Sequence, residues 1–173
     1  MSESSKPKGF PEQSLDAPGN EHEMTPKPEV IRNNYRGSDK LKNKVALITG
    51  GDSGIGRSVA VHFAREGADI AIVYLEEDED AAETKKMVEA EGKKCLLLAG
   101  DIRDRDFCKS IISKVVEEFG KLNILVNNAA EQHPSKSFEE LDLDLMEKTF
   151  QTNIFAMFYL SKAAVAHLGE GDS

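Results

Sequence analysis

The sequence has little of what membrane, secreted or nucleic-acid-binding proteins depend on. It contains no apolar run of about 18 residues, which a membrane-spanning helix needs, so we expect no membrane span. The first residues, MSESSKPKGFPEQ, lack the apolar core of a signal peptide, and we expect no secretion by that route. The formal net charge of -9 argues against a nucleic-acid backbone or an anionic membrane surface as the main partner.

Cysteine and histidine are also scarce. The two cysteines, Cys95 and Cys108, form no C-x-x-C pair, and we interpret them as reduced, partly buried thiols of a cytoplasmic protein. The four histidines have no metal-ligand partner at a suitable spacing. The sequence therefore predicts no metal site.

The chain is long enough for one domain with a polar tail in front of it. Its 173 residues include 39% hydrophobic and 31% charged residues, an ordinary globular composition. Residues 1–29 are rich in Pro, Ser, Glu, Lys and Gly, and 30–43 form a polar lead-in. We predict that residues 1–43 are disordered or form an arm on another surface, and that 44–173 form the domain.

Residues 45–56, VALITGGDSGIG, are the pattern around which the rest of the chain is organised. The unbroken apolar run VALI predicts a central strand of a parallel sheet, because both faces of such a strand are covered. Glycines follow at positions 50, 54 and 56, and then comes a helical pattern with apolar residues on one face. A strand, a glycine-rich turn and a helix start together predict a cradle for a pyrophosphate group.

Strands and helices alternate through the rest of the chain. Three strand–helix units in series imply right-handed crossovers, so we predict an α/β, Rossmann-type, doubly wound parallel sheet with strand order 3-2-1-4. The further predicted strands are 69–75, 95–99 and 122–126, and the further predicted helices are about 81–91, 104–119 and 142–168.

The motif TGGDSGIG resembles the cofactor motif of the compact short-chain dehydrogenases/reductases, and the resemblance covers about residues 44–168. It implies a Rossmann-type fold, a dinucleotide partner, and hydride transfer between NAD(P) and a small carbonyl or alcohol substrate. The predicted cofactor-cradle residues are Gly50, Asp52, Ser53, Gly54, Ile55 and Gly56.

The resemblance also assigns residues at the ends of the later strands. Asp101 matches the family's Asp that meets the adenine amino group, and Ile102 would lie against the ring, while Asp104 is better placed to cap the next helix. The segment Asn127-Asn128-Ala129-Ala130 resembles the family's NNAG motif, with an alanine in place of the glycine. Its small residues, Ala129 and Ala130, would let the cofactor lie against the backbone.

Tyr74 ends the second strand, where a dinucleotide fold places the adenosine ribose. Glu76 and Glu77 follow, and no arginine or lysine comes after them to pair with a 2′-phosphate. The sequence therefore favours NAD. Arg57, directly after the glycine motif, leaves NADP open.

One residue of the family's catalytic network is present and the proton donor is absent. Asn153 matches the family's catalytic Asn, which bends its helix and holds a water linked to the catalytic lysine. The family's general acid/base lies in a Tyr-x-x-x-Lys motif, which occurs nowhere in this chain, since Tyr159 and Lys162 are spaced Tyr-x-x-Lys. The sequence ends where the strand with the family's catalytic Ser is expected.

Two functions remain open at this stage. The chain is either the cofactor-binding portion of a short-chain oxidoreductase, inactive alone, or a non-catalytic dinucleotide-binding or interaction module. We predict self-association or homo-oligomers in either case, because the fourth strand would have an unpaired edge and the last helix an excess of apolar surface. The residues that would give this excess are Ile154, Phe155, Met157, Phe158 and Leu160.

Overall fold

The computed structural model of the chain describes residues 24–173. The part of the predicted tail before residue 24 lies outside the described residues. The centre of the fold is a four-stranded parallel sheet in the order β3-β2-β1-β4, as predicted. The strands are β1 (Val45–Thr49), β2 (Asp69–Tyr74), β3 (Cys95–Ala99) and β4 (Ile124–Val126).

Helices follow the strands along the chain and lie against the sheet. They are α1 (Gly54–Arg65), α2 (Asp78–Ala90), α3 (Arg105–Phe119), α4 (Leu143–Phe150), a π-helix (Gln151–Phe155) and α5 (Ala156–Ala164). The predicted start of α2 at residue 81 is wrong, because the acidic residues 78–80 form its first turn. The predicted start of the fourth strand at residue 122 is also wrong, because its pairing with β1 begins at Ile124.

The side chains of β1 divide between two cores, one on each face of the sheet. Val45 and Leu47 point into a core with α3 and α5. Ala46 and Ile48 point into a second core with α1 and α2. All five residues of β1 are buried, as the unbroken apolar run predicts for a central strand.

The last helical region departs from the sequence prediction. One helix was expected over about 142–168, and instead a single π-helical turn separates α4 from α5. Of its apolar residues, Leu160 is buried and Met157 is half-buried. Ile154, Phe155 and Phe158 are 43%, 46% and 70% exposed, so the expected apolar surface is present at these three positions.

The lead-in to β1 is attached to the end of α1 through one carboxylate. Glu66 accepts hydrogen bonds from the backbone N–H groups of Ser38 (2.9 Å) and Lys40 (3.1 Å) and from the Tyr35 hydroxyl. These bonds, the one from Tyr35 being the largest cause, lower the pKa of Glu66 to about 2. Residues 35–40 therefore lie against α1 instead of extending into solvent.

The outer edge of β4 is partly paired, which corrects the prediction of an unpaired edge. The Ser173 N–H donates to the Asn123 carbonyl (3.0 Å), and the Leu125 N–H donates to the Ser173 carbonyl (2.8 Å). The Asp172 carboxylate accepts from Lys44 Nζ (2.8 Å) and from Asn123 Nδ2 (3.0 Å). Residues 172 and 173 thus lie beside the start of β4 in the parallel direction.

Both cysteines are free and buried, as predicted. Burial raises the pKa of Cys95 to about 12 and that of Cys108 to about 11, so both stay protonated thiols near neutral pH. None of the helices within residues 24–173 combines the length and apolar character needed to span a bilayer.

Candidate functional site

The turn between β1 and α1 is built so tightly that glycine is required at several positions. A Cβ at Gly56 would lie 1.8 Å from the carbonyl oxygen of Gly50. A Cβ at Gly51, a glycine that sequence reasoning missed, would lie 2.5 Å from Cγ2 of Ile72. Gly54 is different, because its φ is +52° and, among residues 24–173, no atom from another part of the chain lies within 4 Å of the Cβ position. Within the described residues, the turn is therefore tightly packed at Gly51 and Gly56, while there is space for a side chain or a ligand next to Gly54.

Asn128 fastens this turn to the end of β4. Its Nδ2 donates to the carbonyl oxygens of Thr49 (2.9 Å) and Gly50 (3.0 Å). The Thr49 hydroxyl oxygen in turn accepts from the backbone N–H groups of Asn128 and Ala129, both at 3.0 Å. Two predicted site segments, the glycine turn and the Asn-Asn-Ala-Ala segment, are thus brought together at the carboxyl ends of β1 and β4. Ala130 lies exposed at the end of the second segment.

The N-cap residue of α1 does not cap its own helix. This residue, Ser53, makes no capping hydrogen bond, and its hydroxyl donates to the Asp52 carboxylate instead (2.9 Å). By contrast, the carboxylate of Asp104 caps α3 by accepting from the N–H groups of Asp106 (2.8 Å) and Phe107 (3.3 Å). The positive end of the α1 dipole therefore lies at the glycine turn, and the Ser53 hydroxyl does not cap it.

Arg57 supports the turn from below and is not available to a cofactor phosphate. The residue is 2% exposed. Its Nε donates to the Asp52 carbonyl (3.0 Å) and to the Thr84 hydroxyl (2.9 Å), and a terminal nitrogen donates to the Asp80 carboxylate (3.1 Å). Thr84 donates to the same Asp52 carbonyl at 2.7 Å. The arginine that the sequence left open for a 2′-phosphate is thus part of a buried ion pair with α2.

Acidic side chains surround the carboxyl end of β2. The Tyr74 hydroxyl donates to the Asp78 carboxylate (2.7 Å), and this bond is the largest cause that raises the pKa of Tyr74 to about 12. Burial raises the pKa of the Asp52 carboxyl, and the nearby carboxylates of Glu77 and Asp80 act in the same direction. A further negative group at this end of the sheet, such as a 2′-phosphate, would be repelled by these carboxylates.

Asp101 and Ile102 follow β3 at the same edge of the sheet. The Asp101 carboxylate is held by Arg103, whose Nε lies 2.9 Å and 2.8 Å from its two oxygens, and this interaction is the largest cause that lowers the pKa of Asp101. Ile102 is 8% exposed and packs in the core with α3. Contacts of these two residues with an adenine remain predictions, and Asp101 would share its oxygens between Arg103 and a ligand.

Asn153 lies in the middle of the π-helix, where its side chain is bonded to the loop after β4. Its Oδ1 accepts from the Glu131 N–H and its Nδ2 donates to the Glu131 carbonyl, both at 2.9 Å. The polar residue that is unfavourable in a regular helix therefore has backbone partners outside it. π-Helical turns of this kind recur at functional sites.

One residue near the site, Glu131, was not identified from the sequence, because no motif points to it; its carboxylate contacts the side chains of Thr152, His133 and Lys148. Asn127, which the sequence placed in the Asn-Asn-Ala-Ala motif without a role, has a buried Oδ1 without a hydrogen-bond partner among the described residues. No group of three or more metal-ligating side chains occurs within residues 24–173.

Comparisons with known proteins identify the family of the chain. The family model for short chain dehydrogenases matches residues 44–173. General stress protein 39 of Bacillus subtilis (strain 168) is 54% identical over 168 residues, which are 96% of this chain and 59% of that protein.

Two crystal structures illustrate the structural similarity. A short chain dehydrogenase from Burkholderia cenocepacia J2315 in complex with NADP is 39% identical, with a TM-score of 0.74 over 76% of this chain and 54% of that one. Carveol dehydrogenase from Mycobacterium avium in complex with NAD is 30% identical, with a TM-score of 0.68 over 73% of this chain and 50% of that one. The chain thus spans little more than half the length of the proteins it matches, and it belongs to the short chain dehydrogenase family.

Proposed function

We propose that the chain binds NAD(P) and supplies the cofactor-binding part of an oxidoreductase that acts on a carbonyl or alcohol substrate. The observation that carries the proposal is the glycine turn at the start of α1, where Gly56 leaves no room for a side chain and Asn128 bonds the turn to the end of β4. Backbone N–H groups and the helix dipole there would hold the pyrophosphate. When bound, the nicotinamide supplies or accepts the hydride.

The variant Gly54→Val tests cofactor binding. A valine side chain would enter the open space above the turn, so we expect NADH binding, followed by its fluorescence, to be lost. Strain from the positive φ is controlled by Gly92→Val, since Gly92 has φ +76° and open space at the far end of α2. Unchanged NADH affinity in folded Gly54→Val, or equal loss in both variants, would refute the assignment.

The acidic surroundings of Tyr74 support a preference for NAD over NADP. Arg57 is committed to Asp80, and Glu76 and Glu77 follow β2 without a basic partner for a 2′-phosphate. Direct titration with NADH and NADPH measures this preference. Tighter binding of NADPH would contradict it.

Turnover by this chain alone is not expected. Asn153 is present, while the Tyr-x-x-x-Lys motif that provides the family's general acid/base is absent from these 173 residues. General acid–base groups contribute about 10²–10⁴-fold to rate. An assay of pure protein with NAD(H) and a panel of alcohols and carbonyls distinguishes cofactor binding without turnover from catalysis. Substantial NADH production would refute the expectation.

The exposed apolar residues of the π-helix and α5 support self-association. Ile154, Phe155 and Phe158 lie close together in sequence and are 43–70% exposed. We expect dimers or larger species in analytical ultracentrifugation, and Phe158→Lys should shift them toward monomer without loss of NADH binding. A monomer at all concentrations would contradict this part of the proposal.

We also propose that the protein works in the cytoplasm. The support is the pair of buried, unbridged cysteines, which suit a reducing compartment. Fractionation of cells that produce the protein would test the location.

A further inference from the structure

The loop after β4 is held at two points, and the second point depends on one carboxylate. At the first point, Asn128 bonds the loop to the glycine turn. At the second, the Asn153 amide pairs with the backbone of Glu131. Residues 129 and 130 lie between the two attachments, so their position depends on both.

The Glu131 side chain connects three other groups around the second attachment. One oxygen accepts a hydrogen bond from the Thr152 hydroxyl at 2.6 Å. The other oxygen lies 3.3 Å from Lys148 Nζ and 3.3 Å from His133 Nε2. Thr152 belongs to the π-helix and Lys148 to α4, while His133 belongs to the loop itself. The carboxylate therefore connects the loop to α4 and to the π-helix that contains Asn153.

The contacts favour a positioning role over a direct chemical one. The Thr152 hydroxyl, Lys148 Nζ and His133 Nε2 surround the two carboxylate oxygens, and the side chain is only 22% exposed, so little of it is available to a substrate. Burial is the largest single influence and raises the pKa of Glu131, but the interactions with Thr152, His133 and Lys148 together outweigh it, so the pKa lies below its usual value. The group is thus an anion that receives hydrogen bonds, which are stronger than neutral ones.

A dinucleotide on this fold spans the carboxyl edge of the sheet from β2 to β4, on either side of the point where the strand order reverses. The adenosine half belongs on the β2 side and the nicotinamide half on the β4 side. We propose that Glu131 is a positioning residue that fixes the β4 loop and the Asn153 turn for the nicotinamide half of the cofactor. This inference rests on the proposed cofactor binding.

The test compares NADH with ADP-ribose, which lacks the nicotinamide. In the full 173-residue chain, Glu131→Ala should weaken NADH binding by about tenfold, the effect of losing one charged hydrogen-bonding centre. ADP-ribose affinity should stay within about twofold of wild type, a fraction of that loss. Glu131→Gln retains an acceptor for Thr152 and should fall between wild type and Glu131→Ala. Glu89→Gln, which alters an exposed carboxylate paired with Lys85 on α2, is the control and should change neither affinity.

A merely structural defect would weaken both ligands together. Equal losses for NADH and ADP-ribose, or no loss for either, would overturn the proposal. If Glu131→Ala does not fold, Lys148→Gln tests the proposal through the same comparison of the NADH loss with the ADP-ribose loss. That lysine is 39% exposed, so its replacement leaves the packing in place.

A second readout does not depend on any ligand. The side-chain NH2 signal of Asn153, assigned by its absence in Asn153→Asp, should shift and exchange faster in Glu131→Ala, while that of Asn128 stays unchanged. If wild type binds neither ligand, the proposed function fails, and this NMR comparison alone tests the role of Glu131. An unaltered Asn153 signal would overturn that role.

Discussion

The two ends of the proposed cofactor-binding edge, the glycine turn and the Asn-Asn-Ala-Ala segment, are held in place by different kinds of contact. Under the glycine turn, every residue of β1 and five of the six residues of β2 are buried. Beside the Asn-Asn-Ala-Ala segment, the three residues of β4 are only half-buried, and neither α4 nor the π-helix has a buried residue. The first end is rigid through packing, whereas the second depends on hydrogen bonds from Asn128, Glu131 and Asn153.

This difference assigns different roles to the two ends. A tightly packed turn can hold a pyrophosphate without rearrangement, because its N–H groups are already oriented. An end held mainly by polar contacts responds more strongly to single side-chain changes and to whatever covers its apolar surface. We therefore expect the adenosine half of the cofactor to be held by the first region and the nicotinamide half to be sensitive to the second.

The largest predicted effect is at the buried ion pair below the glycine turn. Asp80→Ala removes the partner of Arg57, and both side chains are less than 5% exposed. Removing the buried carboxylate from such a pair leaves a buried positive charge with weaker compensation, so the free energy of unfolding should fall by about 3 kcal/mol in urea titrations.

The neighbouring acid provides the control for this experiment. Glu83 lies 3.8 Å from the same guanidinium and is 40% exposed, so Glu83→Ala should cost less than about 1 kcal/mol. A small effect of Asp80→Ala would mean that the ion pair with α2 does not stabilise the turn. The proposed difference between a tightly packed first region and a second region held by polar contacts would then lose its main support.

The first region was largely predictable from the sequence. The apolar run of β1 and the glycine spacing are local patterns. The first indicates a buried central strand, and the second indicates a tight turn between a strand and a helix. Gly51 was missed because its requirement comes from Ile72 on the neighbouring strand, which no local pattern reveals. Arg57 was left open for the same reason, since its partners Asp80 and Thr84 lie one helix further along the chain.

The second region was predictable in its motifs but not in its shape. The sequence identified Asn153 as an unusual residue for a helix interior, yet it did not predict a π-helical turn, because that turn depends on pairing with the Glu131 backbone. The partly paired edge of β4 depends on Asp172, which contacts Lys44 and Asn123 far away in sequence. Long-range contacts of single polar side chains decide such details.

A smaller effect distinguishes a helix start that faces a ligand site from one that does not. Asp104→Ala removes two capping bonds from α3 and should cost about 1 kcal/mol of stability. Ser53→Ala removes no capping bond from α1 and should change the stability of the ligand-free protein by less than about 0.3 kcal/mol. Thermal unfolding of the two variants measures both values, and equal losses would show that α1 is capped in the ordinary way.

The last prediction concerns the effect of low pH on two carboxylates, Glu66 and Asp172, which hold the lead-in and the C-terminal residues in place. Protonation of these carboxylates should lower the free energy of unfolding. Glu66 holds residues 35–40 and has a folded pKa of about 2, lowered from 4.5, with the Tyr35 hydrogen bond as the largest cause. Asp172 holds the edge of β4 and also has a folded pKa of about 2, lowered from 3.8, mainly by Lys44. Each folded pKa lies below the unfolded one, so each contribution is complete above the unfolded pKa.

These contributions disappear as the pH falls through about 4.5 toward 2, and they leave stability unaffected between pH 7 and pH 5. Glu66→Gln cannot carry the charge, so it should be less stable than wild type at pH 7, and the two should approach each other as the pH falls to about 2 and below. Urea unfolding at a series of pH values measures this convergence, with Glu89→Gln as the control that follows wild type throughout. Because Glu66 binds the N–H groups of Ser38 and Lys40 while Asp172 lies next to the Ser173 carbonyl that accepts from Leu125, hydrogen exchange at residues 38 and 40 and at residue 125 separates the two contributions. A constant difference between Glu66→Gln and wild type at every pH would show that the carboxylate holds the lead-in by shape and not by charge.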